Sequence, residues 1–256
     1  MPRPSSDPPR ANPAGSMASS YWRQSRRPLA SLALIVPLLA LYEGGVLLLG
    51  TQAVRNGADV WLRRLLDWIG FGQYFLLPVL TVCLLLAWHH VNRDRWKLSA
   101  GVLYAMYAEC AVLGILLLAL GHLQSSILQS LANPHLAPSQ LFTSALRLNV
   151  LGRLIGFFGA GIYEEVLFRL MLLPACIAAL KLIGLAPRPR TIAAIVATSL
   201  LFSAAHYWGP QGEKLEWFGF VFRFLAGAVF ATLFVYRGFG IAAGTHAAYD
   251  IFVGLF

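Results

Sequence analysis

Charged residues are scarce in this sequence. Asp, Glu, Lys and Arg make up only 12% of its 256 residues, whereas about 25% is typical of a soluble domain. Hydrophobic residues make up 58% and occur in long runs. This composition excludes an ordinary soluble domain and predicts a chain that spans a membrane. Because lipid supplies no water to satisfy open backbone groups, we expect an all-α, polytopic bundle of transmembrane helices.

Cysteine is also scarce. Cys83, Cys110 and Cys176 lie within apolar runs, with neither a CxxC pair nor the Cys/His spacing of a metal site, so we expect inert packing residues. Acidic residues are fewer than basic ones, and the net charge is +9. The basic residues lie between hydrophobic segments rather than along one helix face, which argues against a nucleic-acid partner and indicates the lipid bilayer.

The chain divides into two regions. Residues 1–27 are rich in Pro, Ser, Ala and Arg and have almost no apolar clustering, which predicts a disordered basic tail. Residues 28–256 form the membrane domain. At about 20 residues per crossing, this domain has about seven spans, with eight as the alternative. The seven spans are placed at residues 28–50, 73–91, 101–121, 152–181, 191–208, 218–236 and 240–256.

The segment VWLRRLLDWIGF (60–71), between the first two spans, is amphipathic. Its apolar residues fall on one side of a helix, and Arg63, Arg64 and Asp67 fall on the other. Two interpretations fit this pattern equally well. One is a helix lying in the membrane interface, and the other is an ordinary amphipathic connector.

The distribution of Lys and Arg predicts the orientation in the membrane. With seven spans, the basic tail, the turns at 93–97 and 181–190, and Arg237 all fall on one side. We expect that side to be cytoplasmic. The sequence therefore predicts an integral protein of a bacterial inner (plasma) membrane with its N-terminus in the cytoplasm.

Ten ionisable residues are predicted to lie at bilayer depth, where each is costly unless it is paired or hydrated. They are Glu43, Glu109, Arg153, Glu164, Glu165, Arg169, His206, Arg223, His246 and Asp250. For Glu43 and Glu109 we favour packing, an interface location or a partner such as Arg153 over catalysis. For Arg223 we favour snorkelling towards the interface.

The spacing of the remaining groups is informative. Glu165 and Arg169 are four residues apart with the acid first, which predicts an ion pair on one helix face. On the same helix Glu164 is rotated about 100° from Glu165, so it faces a different neighbour and does not pair with Arg169. The alternative for each group is a purely structural role in helix packing.

Three predicted helices bring polar groups to nearly one level in the bilayer. At 1.5 Å per residue, Glu164, His206 and Asp250 lie about 20–26 Å from the basic ends of their spans. A carboxylate and an imidazole on one water form a general base that can attack a peptide carbonyl. His246 lies four residues before Asp250. These two residues would bind the oxyanion or orient the carboxylate and imidazole, although an ionised Asp would repel an oxyanion.

Three short motifs occur in order on these spans: EEVLFR (164–169), FSAAH (202–206) and HAAYD (246–250). They resemble the EExxxR, FxxxH and HxxxN/D motifs of the CPBP intramembrane proteases, a family that contains the CAAX prenyl endopeptidases and the bacteriocin-processing Abi proteins. The resemblance covers residues 160–256 and depends on the three motifs together, since each alone is common by chance. The last motif ends in Asp250, where the CAAX proteases commonly have Asn.

The resemblance implies a glutamic endopeptidase that cleaves a membrane-anchored or C-terminally tailed protein. In this interpretation Glu164 and His206 activate water, and His246 and Asp250 shape the oxyanion side. The supporting residues are Glu165, Arg169 and Phe202. No cofactor is expected; Zn²⁺ is the alternative, because the family has also been described as metalloproteases. Two other functions stay open, a non-catalytic immunity or scaffold protein and an ion-coupled transporter.

Overall fold

The computed structural model describes residues 20–50, 55–131, 150–209 and 212–255, and every regular element within these ranges is helical. The predicted all-α fold is confirmed. The helices are α1 (Pro28–Leu49), α2 (Gly57–Trp68), α3 (Leu76–Val91), α4 (Ala100–Leu131), α5 (Val150–Gly159), α6 (Leu173–Leu182), α7 (Pro187–Ala205), α8 (Trp217–Arg237) and α9 (Phe239–Leu255). Two π-helical segments, Ala160–Glu164 and Val166–Leu172, join α5 to α6.

Each of the seven predicted spans corresponds to helical structure. Among the described residues, three helices are long and apolar enough to cross a membrane, at Pro28–Leu49, Ala100–Leu128 and Trp217–Arg237, and α3 is a shorter apolar helix. Helix α4, which corresponds to the third predicted span, continues to Leu131, well past the predicted end at residue 121. The number of crossings and their orientation stay predictions.

Helix α9 lies at the centre of the bundle and packs against α1, α4, α8 and the first π-helical segment. Close approach to the π-helical segment requires glycine, because a Cβ at Gly161 would lie 2.8 Å from the Ala247 backbone nitrogen. A Cβ at Gly227 would lie 3.2 Å from the Ser199 Cα, so α7 and α8 are also in close contact. These contacts bring the three motif-bearing segments together.

Helix α2 is held against the bundle by charged residues. Asp59 is fully buried and accepts hydrogen bonds from Arg63 (2.6 Å), Arg55 (2.6 Å) and Tyr42 (2.7 Å). Arg63 also pairs with Glu43 on α1 at 2.8 Å. The sequence analysis grouped Arg63 with Arg64 and Asp67 on the polar side of this helix, but Arg63 alone of the three packs against buried acids. The side of α2 that faces away from Asp59 and Arg63 is exposed, and Trp68 there is 84% accessible.

Two further expectations are corrected at the opposite end of the bundle. Residues 20–25 are helical, in contrast to the predicted disorder, because Trp22 packs 3.8 Å from the guanidinium of Arg237. Arg237 in turn pairs with Glu109 at 2.5 Å. Neither Glu109 nor Glu43 therefore pairs with Arg153, which donates to the Gly254 carbonyl at 3.2 Å. The predicted tail at residues 1–19 lies outside the described residues.

Candidate active site

In the fourth predicted span, Glu164 is the last residue of the first π-helical segment, and Glu165 lies between the two segments. The sequence analysis assumed α-helical geometry throughout, and π-helical turns occur frequently at functional sites. The four-residue pair persists despite the wider winding, with Arg169 Nη1 3.0 Å from Glu165 Oε1. Both side chains of this pair are buried.

Arg169 joins three helical segments. Its Nη2 donates to the Gly227 carbonyl on α8 at 3.0 Å, and its guanidinium lies 4.4 Å from the ring centre of Phe202 on α7. An arginine can donate several hydrogen bonds from one planar group. The pair with Glu165 therefore fixes the π-helical segment relative to α7 and α8.

His206 follows directly after α7. Its Nδ1 lies 2.9 Å from the Phe202 carbonyl, and because a carbonyl oxygen only accepts, Nδ1 carries the hydrogen. In the neutral ring, Nε2 is then an acceptor. It lies 3.8 Å from Glu164 Oε2, a separation that one bridging water can span.

His246, on α9, faces the same carboxylate from the other side. Its Nδ1 is 2.8 Å from Glu165 Oε1. Its Nε2 is 3.9 Å from Glu164 Oε2 and 3.6 Å from Asp250 Oδ2. Its ring stacks on Phe230, with centroids 4.4 Å apart. Glu165 therefore both pairs with Arg169 and orients His246.

Phe202 packs edge-on against both imidazoles. Its ring centre is 5.0 Å from that of His206 and 5.9 Å from that of His246. It also contacts Phe168 edge-on, at 5.2 Å. The aromatic ring thus holds the two histidines apart at a fixed separation around Glu164.

Two cavities meet at Glu164 and His206. The first is about 260 Å³ and includes Asn56, Trp61 and Arg64 on and beside α2. The second is about 230 Å³ and includes Phe222, Phe230, His246 and Asp250 on α8 and α9. Glu164 and His206 thus line both cavities.

Residues 146–252 match a family model described as type II CAAX prenyl endopeptidase Rce1-like. The resemblance inferred from the three motifs is confirmed. The matched segment contains all three motifs and covers less than half of the chain, so α1 to α4 lie outside it. Together with the apolar helices, the match identifies an integral membrane protein. Comparisons with curated proteins and with solved structures gave no match.

The alternative cofactor, Zn²⁺, needs at least three converging protein ligands. In the part of the chain that the structure describes, no group of three or more His, Cys, Asp or Glu side chains is arranged to hold a metal ion. That the reaction needs no metal stays a prediction.

Sequence reasoning missed a residue that contacts the site directly. Asn56 Nδ2 donates to Glu164 Oε1 at 2.8 Å. The residues that follow it, Gly57 to Asp59, are typical of a helix start after an Asn cap, but no sequence signal placed that cap beside Glu164.

Arg223, for which the sequence analysis favoured snorkelling, donates to Tyr207 at 2.9 Å and pairs with the exposed Glu213 at 2.6 Å. Snorkelling towards the interface stays a prediction. Its side chain lines the second cavity.

Proposed function

We propose that this protein is an intramembrane endopeptidase that hydrolyses a peptide bond in a membrane-anchored or C-terminally tailed protein. The observation that carries the proposal concerns Glu164 Oε2, which is buried and lacks a hydrogen-bond partner among the described residues. This oxygen lies 3.8 and 3.9 Å from the Nε2 atoms of His206 and His246, so that one water can bridge it to either ring. A buried, unpaired carboxylate oxygen between two imidazoles is costly in a purely structural role. The matched family consists of endopeptidases.

In the first step, a water binds between Glu164 Oε2 and His206 Nε2. His206 accepts one hydrogen bond from the water and orients it. Glu164 removes a proton as the general base while the water oxygen bonds to the substrate carbonyl carbon. The carbonyl oxygen becomes an oxyanion. When the C–N bond breaks, the proton on Glu164 passes to the departing nitrogen.

His246 is suited to stabilise the oxyanion. Because its Nδ1 donates to Glu165, Nε2 carries a hydrogen only when the ring is protonated, and that hydrogen points towards Glu164 and the cavity. A donor already aimed at developing charge lowers the barrier without reorganisation. Asp250, 3.6 Å from Nε2, competes for the same hydrogen when it is ionised. Asp250 therefore favours the reaction only when it is protonated or turned aside.

The test compares wild type with Glu164→Gln and His206→Ala in liposomes that contain a tailed membrane substrate. Both variants should fold and fail to cleave, because each removes one contact to the attacking water. Glu216→Gln is a matched control, since Glu216 is exposed and lies outside both cavities. Equal cleavage by all four proteins contradicts an enzymatic function and favours a binding or transport role.

The predicted orientation places the site in the outer half of the bilayer, which suits exported or membrane-anchored substrates. This is tested in a chain without its three native cysteines, with a single cysteine introduced at Trp208. Trp208 is exposed, lines the first cavity and lies two residues after His206. Labelling by an impermeant reagent added outside the cell supports the orientation. Labelling from the cytoplasm alone reverses it.

A further inference from the structure

We infer that Asn56, at the start of α2, is a positioning residue that fixes the Glu164 carboxylate for catalysis. This inference rests on the proposed function. Asn56 precedes Glu164 by 108 residues and lies outside the segment that matches the endopeptidase family. The site is therefore completed by a part of the chain that the three motifs do not cover.

The two oxygens of Glu164 have different surroundings. Oε1 accepts the hydrogen bond from Asn56 Nδ2 at 2.8 Å, whereas Oε2 faces His206 and His246 at 3.8 and 3.9 Å. Within the described ranges, Asn56 supplies the one hydrogen bond made to this carboxylate. Holding Oε1 stops the group from rotating, so Oε2 stays directed at the water that it must deprotonate.

The orientation of the Asn56 amide is determined by its second contact. Its Oδ1 accepts a hydrogen bond from the Ala58 backbone nitrogen at 2.8 Å and caps α2. A backbone N–H only donates, so the amide oxygen must face Ala58 and the amide nitrogen must face Glu164. The assignment of the two amide atoms therefore follows from chemistry.

Helix α2 is rigidly connected to the segment that carries Glu164. Arg63 on α2 donates to Glu43 at 2.8 Å, and Glu43 also accepts a hydrogen bond from Tyr163 at 2.5 Å. Tyr163 directly precedes Glu164. The start of α2 and the π-helical segment are thus tied together both at Glu164 and next to it, which preorganises the base.

The competing interpretation is that Asn56 only caps α2. Ser and Asp cap helices about as well as Asn, so a pure capping role predicts that both substitutions preserve catalysis. A positioning role predicts a loss for each. Ser lacks the reach and the second polar group to bind Glu164 while capping, and Asp has no amide donor and brings a second negative charge close to Glu164.

The experiment measures kcat and KM in liposomes for wild type, Asn56→Ser and Asn56→Asp with a tailed membrane substrate, with Glu164→Gln as the inactive reference. Hydrogen bonds to charged groups are strong enough that Asn56→Ser should lower kcat by about tenfold or more. Asn56→Asp should lower it further. KM should stay within about twofold, because the lost contact acts on the base rather than on the substrate. Thermal unfolding should show that both variants are folded at the assay temperature.

Two results overturn the inference. If kcat of both variants stays within about twofold of wild type while Glu164→Gln is inactive, Asn56 only caps the helix and the proposed function stands. If KM rises while kcat is unchanged, Asn56 contacts the substrate instead. Cleavage by Glu164→Gln at the wild-type rate is a separate outcome, because it removes the proposed function itself.

Discussion

Arg169→Met tests the buried charges next to the attacking water. Arg169 and Glu165 are 1% and 0% exposed, and Glu165 also accepts a hydrogen bond from His246. The substitution removes the positive partner of Glu165 and the hydrogen bond to the Gly227 carbonyl. It leaves a buried carboxylate that keeps its hydrogen bond from His246 but has lost its arginine partner.

The expected magnitude follows from that burial. Removing one partner of a buried ion pair costs about 3–5 kcal/mol, and the hydrogen bond from His246 to Glu165 offsets part of that cost. The double variant Glu165→Gln/Arg169→Met removes the remaining charge, and replacing both partners of a buried pair is often close to neutral. The double variant should therefore regain more than half of the lost stability. Its cleavage should not recover to the same extent, because His246 then lacks its anionic partner.

The assay is a denaturant titration in detergent micelles, followed by tryptophan fluorescence, for wild type, both single variants and the double variant. The same four proteins are then compared for cleavage in liposomes. If the free energy of unfolding of Arg169→Met lies within about 1 kcal/mol of wild type, the pair does not compensate a buried charge. A double variant less stable than Arg169→Met would contradict the reasoning in the same way.

Three further outcomes are expected. Asp250→Asn should keep or raise kcat, because an amide does not repel the oxyanion near His246; a loss of about tenfold or more in a kinetic assay would show that the Asp250 charge is required. Chelation of the purified protein should leave cleavage unchanged, whereas loss on chelation and recovery with Zn²⁺ would indicate a metalloprotease. Gly161→Val should unfold at lower temperature and cleave poorly, because a Cβ there meets the Ala247 backbone at 2.8 Å; wild-type melting and cleavage would show that the contact can relax.

The sequence was most informative where contacts depend on local periodicity. The four-residue spacing of Glu165 and Arg169 predicted their ion pair, and the apolar runs predicted the helices. The spacing within the last motif placed His246 and Asp250 on one face of α9, and their facing atoms are 3.6 Å apart.

Contacts between distant segments were not predictable in this way. Asn56 and Glu164 meet because α2 packs against the π-helical segment, and neither residue carries a signal for the other. The inward packing of Arg63 was missed because one of its buried acceptors, Glu43, is supplied by another helix. The π-helical winding was also not predicted.

The junction of the two cavities has a consequence for how substrates are selected. An extended polypeptide that passes through both would place its scissile bond at Glu164 and His206, with one flank against α2 and the other against α8 and α9. In the proposed function, the first flank would contact α2, which lies outside the matched segment, and also Phe168 and Trp208 within it. Changes in α2 away from Asn56 can therefore alter the preference for one set of flanking residues without changing Glu164 or His206.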